Sequence, residues 1–153
     1  MSEMKRDVST TDRELLFTRE YNAPRERVFE AWTNPEHISR WWGPHGFTTE
    51  TKAMDVRPGG TWKHVMKHAA YGEFDNLATY REVVRPERLV YSHGSGTETE
   101  QFRVTVTFAE EGGKTRITLH YVWPSAEALE AVRKFGVEKG CNETLDRLTA
   151  HLA

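Results

Sequence analysis

Phe102-Arg103-Val104-Thr105-Val106-Thr107-Phe108 alternates apolar and polar residues without an error. That period puts Phe102, Val104, Val106 and Phe108 on one face of a strand. Lys114 to Trp123 repeats the pattern, with Ile117, Leu119, Tyr121 and Trp123 together on one face. The intervening Glu111-Gly112-Gly113-Lys114 has the glycines of a tight hairpin turn. Antiparallel strands with one apolar face need a cover on that face.

Upstream, the same period continues. Phe47 to Val56 reads as a strand ended by Arg57-Pro58-Gly59-Gly60. Thr61 to His68 is the next, followed by a loop around Ala69 to Gly72. Glu73 to Val84 and Leu89 to His93 follow, separated by Arg85-Pro86-Glu87-Arg88. Ahead of these strands the spacing turns helical. Arg25 to Thr33 carries Val28, Phe29 and Trp32, and Glu36 to Trp42 carries Ile38, Trp41 and Trp42. Asn34 suits the cap of the second helix. Glu14 to Tyr21 is a first strand before the turn Asn22-Ala23-Pro24. Downstream, Ser125 reads as an N-cap. A helical segment runs from there to the end, with Leu129, Val132, Phe135, Leu145, Leu148 and Leu152 on one side. Gly136 and Gly140 interrupt it, each at about 1 kcal/mol relative to alanine. Either the helix breaks near Gly136 or something approaches its backbone there.

The order predicts an α+β architecture: a curved antiparallel sheet wrapped around a long C-terminal helix, with two short helices after the first strand. A curved sheet does not press flat on a cylinder, so a cavity between sheet and helix is expected, suited to a small apolar ligand. Residues 1–12 are expected to be a loose tail and 13–153 one domain.

Composition narrows the function. The 153 residues hold 21 basic and 23 acidic side chains, net −2. A dedicated nucleic-acid binder would show a basic excess. No window approaches the ~18 uninterrupted apolar residues of a membrane span. The start of the chain has neither the apolar stretch of a secretory signal nor the acid-poor bias of a transit peptide. One cysteine, Cys141, makes no intrachain disulfide. A soluble cytoplasmic protein is the expectation, with monomer and homodimer both open.

Motifs for specific chemistry are sparse. Gly59-Gly60 and Gly112-Gly113 lie between strands, so turn chemistry explains them better than phosphate binding. His93-Gly94-Ser95-Gly96 sits in a polar loop and does not open a helix as a nucleophile elbow does. His64 and His68 stand four apart on a strand, ~13 Å, too far to share a zinc ion. No metal and no cofactor is expected. Cys141 reads as a small buried apolar residue. On the strand from Thr61, Trp62, His64 and Met66 share one face and Lys63, Val65 and Lys67 the other. The lysines mark the outside, so Trp62, His64 and Met66 are expected to face the helix.

Several segments carry a family resemblance: Val28-Phe29-Glu30-Ala31-Trp32-Thr33-Asn34-Pro35-Glu36-His37, Arg40-Trp41-Trp42-Gly43-Pro44, Asp55-Val56-Arg57-Pro58-Gly59-Gly60-Thr61-Trp62, Glu82-Val83-Val84-Arg85-Pro86-Glu87-Arg88-Leu89-Val90-Tyr91, and Val104-Thr105-Val106-Thr107-Phe108 with Gly113-Lys114-Thr115. With Phe135-Gly136 and Thr144-Leu145-Asp146-Arg147-Leu148, these resemble the bacterial homologues of the activator of heat-shock-protein-90 ATPase. That family belongs to the START-like (SRPBCC) superfamily, whose fold is the helix-grip fold of birch-pollen allergen. The resemblance covers nearly the whole chain from Glu14. It implies a cavity under the C-terminal helix and apolar ligands such as lipids, sterols or polyketides; a few relatives are cyclases or hydrolases. The motifs are structural and bring no catalytic set. His64 departs from the aromatic or aliphatic residue usual at its position, and Lys67 to Asp75 lacks the usual Gly-Pro-Asp-Gly type of turn. The additional N-terminal domain of the eukaryotic co-chaperone is expected to have no counterpart, which weakens a chaperone role.

The first functional expectation is therefore a binding protein for a small apolar or aromatic molecule. Its candidate lining residues are Trp62, His64, Met66, Tyr80, Tyr91, His120 and Phe135. Phe135, Val132 and Leu145 are expected to face Trp62 and Met66. Two alternatives stay open. One is a cyclase- or hydrolase-type enzyme using His64, Tyr80, Glu82, Tyr91, His93 or His120. The other is a stress-response module that touches a chaperone.

Overall fold

The structure, a computed structural model, describes residues 5–6, 12–94 and 101–153. Among these, the chain runs β1 (Lys5–Arg6), β2 (Glu14–Tyr21), α1 (Arg25–Thr33), α2 (Pro35–Trp41), β3 (Phe47–Met54) and β4 (Thr61–His68). It continues β5 (Gly72–Val84), β6 (Arg88–Gly94), β7 (Phe102–Glu111), β8 (Lys114–Val122), α3 (Ala126–Arg133) and α4 (Val137–Leu152). The strands form one antiparallel sheet in the order β1-β2-β8-β7-β6-β5-β4-β3. The architecture is the α+β helix-grip layout expected from the strand pattern.

The deciding hairpin forms as read. Glu111 pairs with Lys114, and Gly112 and Gly113 both take positive φ, 61° and 79°. Such a two-residue turn matches the twist of its strands. Val104, Val106, Phe108, Ile117 and Leu119 are all buried. They meet Leu15 and Phe17 of β2, Ile38 and Trp41 of α2, and Leu145 and Leu148 of α4 in one core. Bulges interrupt the edge strand β3 between Thr51 and Ala53 and the interior strand β5 between Tyr80 and Glu82. A bulge bends and twists the sheet locally, which gives this one its concave face. Helices α1 and α2 cap one end, with α2 against β3 and α4.

The helix signals resolve as follows. The Asn34 side chain accepts from Glu36 N at 2.9 Å and starts α2. Ser125 Oγ accepts from Ala128 N at 3.1 Å and starts α3. The long C-terminal helical segment is broken: Gly136 has φ +78°, the left-handed region open to glycine, between α3 and α4. The periodicity of Leu129, Val132 and Phe135 belongs to α3 and ends in that turn. The alternative, a close approach to the backbone at Gly136, is not what is found: nothing would lie within 4 Å of a Cβ there. Most of the expected loose tail, and Ser95 and Gly96, lie outside the described residues. Within the tail, Lys5 and Arg6 pair with Thr18 and Phe17 as a short edge strand.

Candidate functional site

A line of aromatic rings crosses the concave face. Trp32 of α1 meets Trp42, at the end of α2, edge-on at 5.7 Å. Trp42 meets Trp62 at 5.0 Å, and Trp62 lies flat on His64 at 3.6 Å. His64 faces His93 at 6.2 Å, His93 lies flat on Phe102 at 4.8 Å, and Phe102 meets Tyr121 at 5.8 Å. The strand members occupy alternate positions of β4, β6, β7 and β8, which is why one face collects them.

Between this wall and the first half of α4 lies a cleft of ≈ 280 Å³. Its sheet side is Met66, His93, Phe102, Leu119 and Tyr121, closed at one end by Trp32 and Trp42. Its helix side is Val137, Gly140, Cys141 and Thr144, with Phe135 and Gly136 at the rim and Gly43 and Pro44 along the edge. Gly43 has φ +105°, and a Cβ there would come within 3.1 Å of Met66 Cε and 3.2 Å of Phe47 Cβ. Glycine therefore lets this edge close on Met66. The Arg147 guanidinium holds the edge segment in place. Its Nη1 donates to the carbonyls of Trp42 at 3.1 Å, Gly43 at 2.9 Å, Pro44 at 3.4 Å and Phe47 at 3.0 Å. Its Nη2 donates to Arg40 O at 3.2 Å. His45 N adds a bond to Glu143 Oε1 at 3.1 Å.

Four titratable groups in and behind the cleft wall, His64, His93, Tyr121 and Cys141, are driven to their neutral forms. Burial, then neighbouring His93, lowers the His64 pKa to about 3. The Trp62 backbone opposes this weakly, yet neither ring nitrogen of His64 has a hydrogen bond of good geometry. Burial lowers His93 to about 4. Burial raises Cys141 to about 11 and raises Tyr121 well above the usual phenol value, with Cys141 and Tyr91 adding to the latter. Cys141 Sγ lies 3.7 Å from Tyr121 Oη. Three buried polar sites in this region lack partners: Trp32 Nε1, His93 Nδ1 and the His64 nitrogens. Other indoles are satisfied, Trp41 on Ala31 O at 3.0 Å and Trp62 on Thr51 Oγ1 at 3.1 Å.

The structure places the expected lining residues differently from one another. Met66 lines the cleft. His64 is 1% exposed and stands behind the cleft wall, beside His93, with no bond to Tyr80 or Tyr91. Trp62, Tyr80 and Tyr91 are buried in the core and border a ≈ 10 Å³ gap with Trp32, Ile38 and Leu89, which is room for one water at most. His120 is corrected outright. Leu119 and Tyr121 point inward, so His120 points to the other face, where Nε2 meets Glu14 Oε1 at 2.7 Å. Phe135 lines the cleft at its rim, but its expected position opposite Trp62 is corrected. It is 92% exposed in the α3–α4 turn and faces neither Trp62 nor a packed wall. Trp32, Trp42, Phe102, Tyr121, Cys141 and His93 also line the cleft, beyond the set expected from the sequence. The phase of β6 carries the signal for His93, since Leu89, Tyr91 and His93 share one face.

A larger hollow of ≈ 580 Å³ opens at the far end of α4, bordered by Glu20, Arg27, Lys114 and Thr149 among others. It is open and bordered by charged side chains. The smaller, apolar cleft is the better candidate.

This arrangement defines a helix-grip domain of the START-like class with a cleft under its last helix. The chain belongs to the family described as Activator of Hsp90 ATPase homolog 1-like protein, whose model matches residues 22–153. Solved structures agree on the fold. A Mycobacterium smegmatis protein is 27% identical, with TM-score 0.85 over 97% of this chain and 94% of that one. An Arthrobacter aurescens protein is 21% identical, with TM-score 0.88 over 98% and 90%. A Rhodobacter sphaeroides protein is 20% identical, with TM-score 0.87 over 98% and 97%. The comparison with curated proteins finds no match. Among the described residues, no helix is long and apolar enough to cross a membrane.

Proposed function

We propose that this protein binds one small, largely apolar or aromatic molecule in the cleft between the sheet and the first half of α4. The observation that carries this is the cleft itself: a ≈ 280 Å³ space beneath the first half of α4 whose lining is mostly aromatic and aliphatic. Met66, His93, Phe102, Tyr121, Trp32 and Trp42 are the residues proposed to touch it, with His64 supporting His93 from behind and Phe135 at the entrance.

Acid–base catalysis fits less well. A working imidazole needs an orienting partner, and neither His64 nitrogen nor His93 Nδ1 has one. The family description favours a second reading, contact with a chaperone. Exposed Phe135, Tyr71 and Phe74 would be the surface for it.

Native mass spectrometry of the freshly purified protein tests the first reading. The expected result is a stoichiometric adduct of an uncharged organic molecule, or its uptake from a lipid and metabolite extract. A bare chain before and after exposure to the extract would overturn it. Stoichiometric capture of an Hsp90-type chaperone by that bare chain would put the second reading in its place.

A further inference from the structure

We propose that the α3–α4 turn docks on an anionic lipid surface, with Phe135 entering the boundary between headgroups and acyl chains and Lys134 and Lys139 meeting the phosphates. Docking of this turn needs nothing bound in the cleft.

The ring comes first. Phe135 is 92% exposed, more than Tyr71 at 70%, Phe74 at 45% or Val84 at 38%. A phenyl ring left in water forgoes a favourable burial. It is also held out on a bonded turn. Phe135 N donates to Val132 O at 3.1 Å, Gly136 N to Arg133 O at 3.0 Å, and Gly140 N to Gly136 O at 2.9 Å. A turn already ordered loses little freedom on docking. Gly136 and Val137 continue the ring into the apolar rim of the cleft, so the exposed surface is larger than one side chain.

Charge names the partner. Lys134 is exposed and has no carboxylate within ion-pair distance among the described residues. Lys139, at the start of α4, is 83% exposed and only 3.9 Å from its nearest carboxylate, Glu143. The acids of the region are tied back. Glu143 is 20% exposed and accepts from His45 N at 3.1 Å, with His45 Nδ1 3.8 Å from its other oxygen. Glu138 and Glu130 face the same Arg133, at 3.5 Å and 3.9 Å. The free charges beside Phe135 are therefore cations. Lysine stems let ammonium groups stay with lipid headgroups while an adjacent ring reaches the acyl boundary. A protein partner would need a preformed pocket for the ring, whereas a bilayer opens one. The cleft opens at this same turn, so docking sets its mouth against the lipid.

Cosedimentation of the full chain with vesicles tests this, using phosphatidylcholine alone and phosphatidylcholine mixed with phosphatidylglycerol. The wild-type chain is expected to partition onto the mixed vesicles about tenfold better, an advantage that molar salt removes. Phe135→Ala should lower partition onto the mixed vesicles about tenfold, the loss of one interfacial aromatic. Lys134→Glu combined with Lys139→Glu should lower it at least as much. Should the double variant not fold, the salt dependence of the wild-type chain decides the role of charge. No sedimentation with either vesicle, equal partition onto both, or a loss in Tyr71→Ala but not in Phe135→Ala overturns the docking surface. Two other occupants have their own signatures. Dimerisation in sedimentation velocity that Phe135→Ala abolishes would assign the turn to a second copy. Capture of a purified Hsp90-type chaperone that Phe135→Ala abolishes would assign it to a protein. Either result, from a chain that ignores vesicles, overturns lipid docking and leaves the binding role to the mass spectrum.

Discussion

The two halves of α4 do different work. In the second half, Leu145, Leu148 and Leu152 are buried in the core. Tyr21 Oη donates to Leu145 O at 3.2 Å, Arg19 holds Asp146 at 2.7 Å, and His37 and His151 share a 2.9 Å bond. In the first half, Val137, Gly140, Cys141 and Thr144 are only half-buried and border the cleft. Its charged residues reach outward, Glu138 to Arg133 at 3.5 Å and Glu143 to Lys139 at 3.9 Å. One helix thus anchors the fold with its C-terminal half and leaves its N-terminal half over a hollow. A fold can keep an unfilled space when the element that covers it is secured elsewhere.

The largest expected effect tests this division directly. Leu148→Ala removes a fully buried side chain and should cost ~2–5 kcal/mol in denaturant unfolding. Val137→Ala, at the cleft, should cost about 1 kcal/mol or less, because its methyls are only half-buried. Equal losses would break the comparison.

Acid comes next. The folded pKa values of His64 and His93 are depressed to about 3 and about 4, below the ordinary ~6.5. Below ~6.5 the unfolded chain binds more protons, so stability is lost as pH falls from there toward the folded values. Above that window both rings are neutral in both states and contribute no slope. His151, at the other end, shifts in the same direction through burial, then His37, Arg40 and Arg27. The comparison is therefore between wild type and His64→Leu. The variant should lack about 2 kcal/mol of the wild-type loss between pH ~6.5 and about 5. Parallel pH profiles would mean that His64 is not held neutral by its setting.

Arg147 links the two halves, because it roots in the anchored half and holds the cleft edge. Arg147→Met should cost about 1–2 kcal/mol, a modest sum because the freed carbonyls can reach water. Hydrogen exchange should quicken at Phe47 and His45, the amides of the held segment. Arg147→Lys should recover little, since an ammonium does not reproduce the planar fork. Unchanged exchange in Arg147→Met would show that the edge holds without the clasp.

The fold was legible because its signals are periodic and local. Phe102 to Phe108 names its own buried face, Asn34 and Ser125 cap as their chemistry suggests, and Gly112-Gly113 closes the hairpin. The cleft was less legible, because it depends on where elements from distant parts of the chain meet. Period two correctly turned Trp62 and His64 inward. It did not say that Trp62 would be packed against Trp42 while Met66, four residues on, borders space. The same rule, applied to Leu119 and Tyr121, already turns His120 outward. Trp32 and Trp42 enter the site only because two helices fold over the sheet end, which no spacing within a strand reveals.

Phe135 gives the smallest effect and the sharpest contrast between pattern and place. It continues the three-residue spacing of Leu129 and Val132, and a packed ring there would cost ~3–5 kcal/mol on truncation. The left-handed Gly136 ends α3 first and leaves the ring 92% exposed at the cleft rim. Exposed substitutions change stability by no more than about 0.5 kcal/mol. Phe135→Ala should therefore unfold at the wild-type denaturant midpoint. An aromatic at the mouth of an apolar cleft still shields an occupant from water, so the variant should release a bound apolar fluorophore faster, read by stopped-flow displacement. A stability loss above about 1 kcal/mol would place the ring in the core after all. An unchanged release rate would remove Phe135 from the site and confine the cleft to the residues beneath α4.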